Sequence, residues 1–289
     1  MRRAFDSIRA GLAVAGLLAI AGLARADLVL PRVSPNATVK QTIGITDLTL
    51  TYSRPGVKNR AIWGALVPYD KPWRTGANEA TTFTTTDEIT VGGQKLPAGT
   101  YSFFTIPAAA SWTVIFSKQK ELWGSTDYDP KQDALRVTAA PDTTQPNQEW
   151  MLLGFDDLTP ASCNLVLRWQ RLRVAVPVAV DVNAITLARC RTEIAAAKPD
   201  DARTPMRAAQ FCFDNSVAMD EGKQWLGQSL KIQPNYSNLT LQARWLMKDG
   251  KKNEAIAAAK KAVETGKASK DKVDTSGTEK LLADWSAGK

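Results

Sequence analysis

The sequence predicts an α+β chain, with an antiparallel β-sandwich or jelly-roll-like domain over residues 34–180 and an all-α tail of helical hairpins over 181–289. Three observations predict it. Apolar residues recur with period two from about Val39 to Val180, the period becomes helical after Asp181, and two helical segments repeat at an offset of 33 residues. At 289 residues the chain exceeds one typical domain, and 44% apolar with 23% charged residues excludes a wholly disordered chain.

The N-terminus carries a separate signal. Arg2, Arg3 and Arg9 precede an uncharged apolar stretch from Gly11 to Ala24, and Ala24-Arg25-Ala26 has the small-x-small form of a cleavage site. This predicts a signal peptide over residues 1–26, cut after Ala26, and a periplasmic or secreted protein. The apolar run is short for a bilayer span and no Cys follows it, so no stable membrane anchor is expected after cleavage. Removing residues 1–26 takes away four Arg and one Asp, and the formal charge falls from +8 to +5. Basic and acidic residues alternate, and no basic stripe carries interleaved aromatics, which argues against nucleic acid as a partner.

Within the β region, Leu48, Leu50 and Tyr52 alternate with Thr49, Thr51 and Ser53, as in a half-buried strand. Ile89 and Val91 lead through Gly92-Gly93 and Leu96-Pro97-Ala98-Gly99 to Tyr101–Ile106, a strand–turn–strand pattern. Trp112–Phe116, Trp150–Phe155, the alternating Cys163, Leu165, Leu167 and Trp169, and Arg173–Val178 supply further strands. After Asp181, helices are predicted over Ala184–Ala197, Pro205–Ser216, Asp220–Ile232, Leu239–Lys248 and Asn253–Glu264. Aligning Glu221 with Glu254 also aligns Gly222 with Ala255, Leu226 with Ala259 and Leu230 with Val263, near the period of tetratricopeptide (TPR) repeats. A plain helical bundle is the alternative. Ser276 and Glu279 have capping-box spacing and open a last helix carrying Leu281, Leu282 and Trp285. Cys190 and Cys212 each lie 11 residues from Asp201, so a hairpin turning there brings them together, and in an exported protein a disulfide is expected between them. Cys163 shares a strand face with apolar residues and reads as a core thiol.

Chemistry is limited by what is missing. The chain contains no His, which excludes a Ser-His-Asp triad, a Cys-His pair, His-ligated zinc and an imidazole base. Asp127, Asp129 and Asp133 lack the Gly and closing Glu of an EF-hand, and no metal or cofactor is implied. The sequons at Asn36, Asn235 and Asn238 matter only in a glycosylating host.

Residues 52–81 stand apart, because thirty residues with so little periodicity form either a functional loop or a strongly self-bonded one. Tyr52-Ser53-Arg54-Pro55, Lys58-Asn59-Arg60, Leu66-Val67-Pro68 and Trp73-Arg74-Thr75-Gly76-Ala77-Asn78-Glu79-Ala80-Thr81, with Leu96–Ser102 and Trp123-Gly124 further on, resemble the signature of the domain of unknown function 2911 family. That is a family of uncharacterised exported bacterial proteins, some with similar helical tails, and the resemblance covers roughly residues 34–180. Asn59 stands where glycine is expected, and Asn tolerates the same left-handed backbone. The resemblance implies no activity.

The residues themselves suggest a binding module for a polar or anionic, saccharide- or peptide-like ligand. Arg54, Arg60 and Arg74 offer forked donors, Tyr69, Trp73 and Trp123 offer flat apolar faces, and Asn78 and Glu79 would orient the ligand. In the structural alternative Arg74 pairs with Glu79 or Asp70 and the tryptophans fill the core. Two further readings are a hydrolase acting on cell-envelope carbohydrate through Asp70 and Glu79, and a scaffold whose helical tail holds a protein partner.

Overall fold

The computed structural model describes residues 30–120, 122–270 and 273–287, so the predicted signal peptide and its cleavage site lie outside the described residues. Two antiparallel sheets occupy residues 36–179. The first joins β1 (Asn36–Ile43), β2 (Thr46–Ser53), β3 (Thr82–Thr85), β6 (Gly99–Ile106), β7 (Trp112–Ser117) and β8 (Asp133–Ala139) in that order. The second runs β10 (Gln148–Asp156), β11 (Ser162–Gln170), β12 (Leu172–Ala179), β4 (Ile89–Val91) and β5 (Gln94–Leu96), and the short β9 (Pro141–Asp142) pairs with β12. Alternation sets which face is buried. Leu48 and Leu50 on β2 and Leu165, Leu167 and Trp169 on β11 all turn into the space between the sheets, at 0–4% exposure. Cys163 joins them, and burial pushes its thiol up to about 11, as suits a core thiol. The β4–β5 turn is made by Gly92 and Gly93 at φ 54° and 82°, a double left-handed turn that suits glycine.

Six helices follow: α1 (Val182–Ala196), α2 (Arg203–Asn215), α3 (Met219–Ile232), α4 (Tyr236–Lys248), α5 (Lys252–Ala268) and α6 (Ser276–Ser286). The change of period at Asp181 has a local cause, because its carboxylate accepts a hydrogen bond from the Ala184 N–H at 2.9 Å and caps α1. Positions aligned at the offset of 33 share an environment, with Gly222, Ala255, Leu226, Ala259 and Val263 all buried in helix contacts. The last helix differs in detail from the expected capping box. Thr275 is its N-cap and bonds Glu279 through its hydroxyl, while Asp274 accepts the Ser276 N–H.

The expected Cys190–Cys212 disulfide is not formed, and both are free thiols. The hairpin does bring them into one apolar cluster. Cys212, however, packs over Gly222 of α3, where an added Cβ would lie 2.6 Å from the Cys212 Cβ and 3.3 Å from its Sγ. Its side chain fills the α2–α3 contact, and burial pushes its thiol up to about 11.

Ser34–Lys289 forms one compact unit, and α1 ties its helices to its sheets, with Val182 and Ile185 packed against the sheet core. Gly44, in the β1–β2 turn at φ 59°, sits against Val182, whose Cγ2 lies 2.5 Å from where a Cβ would be. Arg189 on α1 donates to both oxygens of Asp87 at 2.8 and 3.0 Å. Burial works to raise the Asp87 carboxyl, but donors from Arg189, Thr46 and Thr86 outweigh it and hold it below the usual carboxylate value. The stability from this contact is therefore complete above the unfolded value of about 3.9 and disappears as pH falls through the lower folded value. With Arg189 half exposed, Asp87→Asn should cost up to about 1 kcal/mol at pH 7. Urea denaturation at pH 7 and pH 2.5 checks this, since an equal deficit at both values would refute the linkage.

Candidate functional site

The segment between β2 and β3 contains no regular strand, yet it is stitched down at four isolated bridges: Gly56–Trp150, Trp63–Val67, Trp73–Thr105 and Glu79–Trp123. Beyond them the Asp70 N–H donates to Pro107 O and the Phe103 N–H to Thr81 O, so residues 70–81 continue alongside β6 where β3 leaves off. Five of the nine non-glycine residues with left-handed backbone among the described residues fall here: Lys58, Asn59, Asp70, Thr75 and Asn78. Asn59 at φ 56° takes the conformation that the substitution for glycine requires. Thr75 is β-branched at φ 53°, a strained state that persists only where neighbours hold it. They do. Its hydroxyl lies 3.0 Å from that of Thr105, and its carbonyl accepts from the Thr81 hydroxyl at 2.7 Å.

The predicted site residues separate into three groups. Arg60 and Arg54 bind backbone. The Arg60 Nη2 donates to Gly56 O at 2.6 Å and its Nε to Val57 O, closing the loop on itself, while Arg54 Nε donates to Met151 O at 2.8 Å across to β10. Trp73 and Asn78 are built into the framework. Trp73 is 8% exposed, its Nε1 donates to Gly76 O, and its ring stacks on Trp169 with centroids 5.9 Å apart. Asn78, at φ 58°, donates through Nδ2 to Ser53 Oγ and Ser34 O.

Arg74, Tyr69, Glu79 and Trp123 form the third group, which reaches the surface. The bridge at Trp73 turns that ring into the core and the next residue, Arg74, away from it. Arg74 is half-buried, its Nε is shielded from solvent without a hydrogen-bond acceptor, and it pairs with neither Glu79 nor Asp70. Burial pushes this guanidinium below its ordinary value, and among the described residues no carboxylate counters the effect. Glu79 is half-buried opposite Trp123, which is 68% exposed beside Gly124 at φ 77°. Tyr69, 41% exposed, lies over the Gly64 backbone, so closely that a Cβ there would come within 2.9 Å of the ring. Next to Glu79, a small apolar cluster of Ala80, Phe104 and Ile115, with Leu122 and Tyr128, supports the 122–128 loop. Among the described residues no group of His, Cys, Asp and Glu could hold a metal ion, and no helix is long and apolar enough to cross a membrane.

No curated protein and no solved structure matches the chain. Residues 34–178 match the family described as Protein of unknown function (DUF2911), and that span contains every one of the motifs above. It makes up half of the chain, which therefore belongs to this family.

Proposed function

We propose that this is an exported, non-catalytic binding module that takes a polar, anionic ligand of saccharide or peptide character at the surface formed by Arg74, Glu79, Tyr69 and Trp123. Arg74 carries the reading. A guanidinium that is half removed from water and has no carboxylate partner among the described residues costs stability in the free protein, and a bound anion would supply the missing charge. Trp123, bridged to Glu79, and Tyr69, in the same segment as Arg74, provide exposed aromatic faces of the kind on which a sugar ring or an apolar side chain packs. The family motif supplies both Trp73, as the internal anchor, and Arg74, as the outward cation. The signal-peptide pattern of residues 1–26 supports export to the periplasm or beyond.

A thermal-shift screen against acidic sugars, peptidoglycan fragments, phosphates and small organic acids tests the reading. A ligand at a hundredfold its dissociation constant should add about 2.7 kcal/mol to the unfolding free energy. Arg74→Met should abolish that gain and raise the melting temperature of the free protein, because it removes an uncompensated charge. A melting temperature that falls in Arg74→Met, or a shift that survives it, would make Arg74 an architectural residue and end the proposal.

A further inference from the structure

The two sheets approach each other along both sides. On one side the Gln94 side chain donates to Arg136 O, and Gly92 lies against Val137. On the other side Tyr52 Oη donates to Leu153 O, and beside this contact the edge strands β1 and β10 border a cavity of about 500 Å³, within the range of small-molecule pockets. Val39, Leu152, Phe155 and Val166 give it apolar walls, and Arg54 and Arg168 give it cations. Its shape depends on Gly154. This residue sits inside β10 opposite Val166, and its φ is not in the left-handed range. A Cβ there would meet only Leu152 Cδ2, at an ordinary 3.5 Å. Neither conformation nor packing therefore calls for glycine, which otherwise weakens a strand. What its bare backbone leaves open is the cavity.

The charges around the cavity are unbalanced. Asp156, the one carboxylate lining it, accepts from Arg168 at 2.7 Å and from Arg173 at 2.9 Å. Arg168 Nε is shielded from solvent and has no acceptor. Arg54 uses its Nε on Met151 O and has no carboxylate partner among the described residues. We infer that this cavity binds an amphipathic carboxylate, with its apolar body over Gly154 and Val166 and its carboxylate between Arg54 and Arg168. The site is separate from the Arg74 surface and does not depend on it.

Isothermal titration of the protein with decanoate, below its micellar concentration, tests this, with decanol and decyltrimethylammonium as the neutral and cationic controls. Decanoate should bind with one-to-one stoichiometry and the two controls should not. Gly154→Leu should abolish the binding while circular dichroism shows the parent fold, because the added Cβ meets only Leu152 Cδ2, at 3.5 Å, and the rest of the side chain fills the cavity that Gly154 lines. Arg54→Gln should weaken binding by about tenfold or more. Should that variant fail to fold through loss of its bond to Met151, Gly154→Leu still decides. Equal binding of all three amphiphiles, no binding of decanoate, or binding that survives Gly154→Leu would each overturn the inference. Arg74→Met should bind decanoate like the parent protein, so failure here and failure at the Arg74 surface are distinguishable.

Discussion

Trp169→Ala should lower the unfolding free energy by about 3–5 kcal/mol. Trp169 is 1% exposed and belongs to a group of four indoles between the sheets. It stacks on Trp73 at 5.9 Å and meets Trp63 edge-on at 5.7 Å, while Trp63 in turn meets Trp112 at 5.0 Å. Alanine would lose the transfer energy of the ring, open a cavity and remove the hydrogen bond from Nε1 to the Glu149 carbonyl, which keeps its bond from the Val57 N–H. The damage should also reach the surface, because Trp73 anchors the loop that carries Arg74. Equilibrium urea denaturation with near-ultraviolet circular dichroism checks both points. A loss below about 1 kcal/mol would mean that the core repacks around the gap.

Two glycines in α3 should respond to alanine with opposite signs. At Gly227 a Cβ meets nothing within 4 Å, so Gly227→Ala should stabilise by about 0.5–1 kcal/mol through helix propensity and reduced freedom of the unfolded chain. At Gly222 the same gain is opposed by a contact of 2.6 Å with the Cys212 Cβ and one of 3.2 Å with the Trp245 ring. A Cβ cannot swing away as a long side chain does, so α2 and α3 must separate, at a cost of about 1–3 kcal/mol. Gly222→Ala should therefore destabilise on balance, and Gly222→Leu far more. Melting temperatures of the three variants, measured side by side, decide. A stabilised Gly222→Ala protein would mean that the two helices do not pack this closely.

Much of this architecture is local, which is why it is legible in the chain. The five helices predicted before the last fall within a few residues of α1–α5, because α2–α5 each have an apolar stripe and because Asp181 both ends the β pattern and caps α1. Strands with strict alternation, such as β2 and β11, are equally legible. β3, with four residues and one buried apolar side chain, offers too little pattern to recognise. β8 is absent from the predicted strands although it alternates, and Leu135 and Val137, buried between exposed Arg136 and Thr138, are the signal that marks it.

The candidate site is legible only in part. Motif and composition bring Arg54, Arg60, Tyr69, Trp73, Arg74, Asn78 and Glu79 forward together, but residue type does not say which way a side chain turns. The single bridge between Trp73 and Thr105 decides that Trp73 enters the core and Arg74 does not. Arg60 turns back onto its own loop, and Arg54 reaches a strand nearly a hundred residues away. Arg168 and Gly154 look ordinary in the sequence, the one a polar position in an alternating strand and the other a small residue. Only the approach of the edge strands β10 and β1 gives them a cavity to line.

The cysteines show the same division. Their equal spacing about Asp201 places them in one cluster, since a hairpin is set by chain length and turn position. Whether they bond depends on where each side chain packs, and Cys212 is taken up by the contact with Gly222 on a third helix. By itself the sequence determined the fold class, the change from strands to helices at Asp181 and the family, because periodicity, caps and motifs are properties of neighbouring residues. Only the tertiary structure decided which arginines are satisfied and which are left without a partner, because that depends on groups brought together from distant parts of the chain.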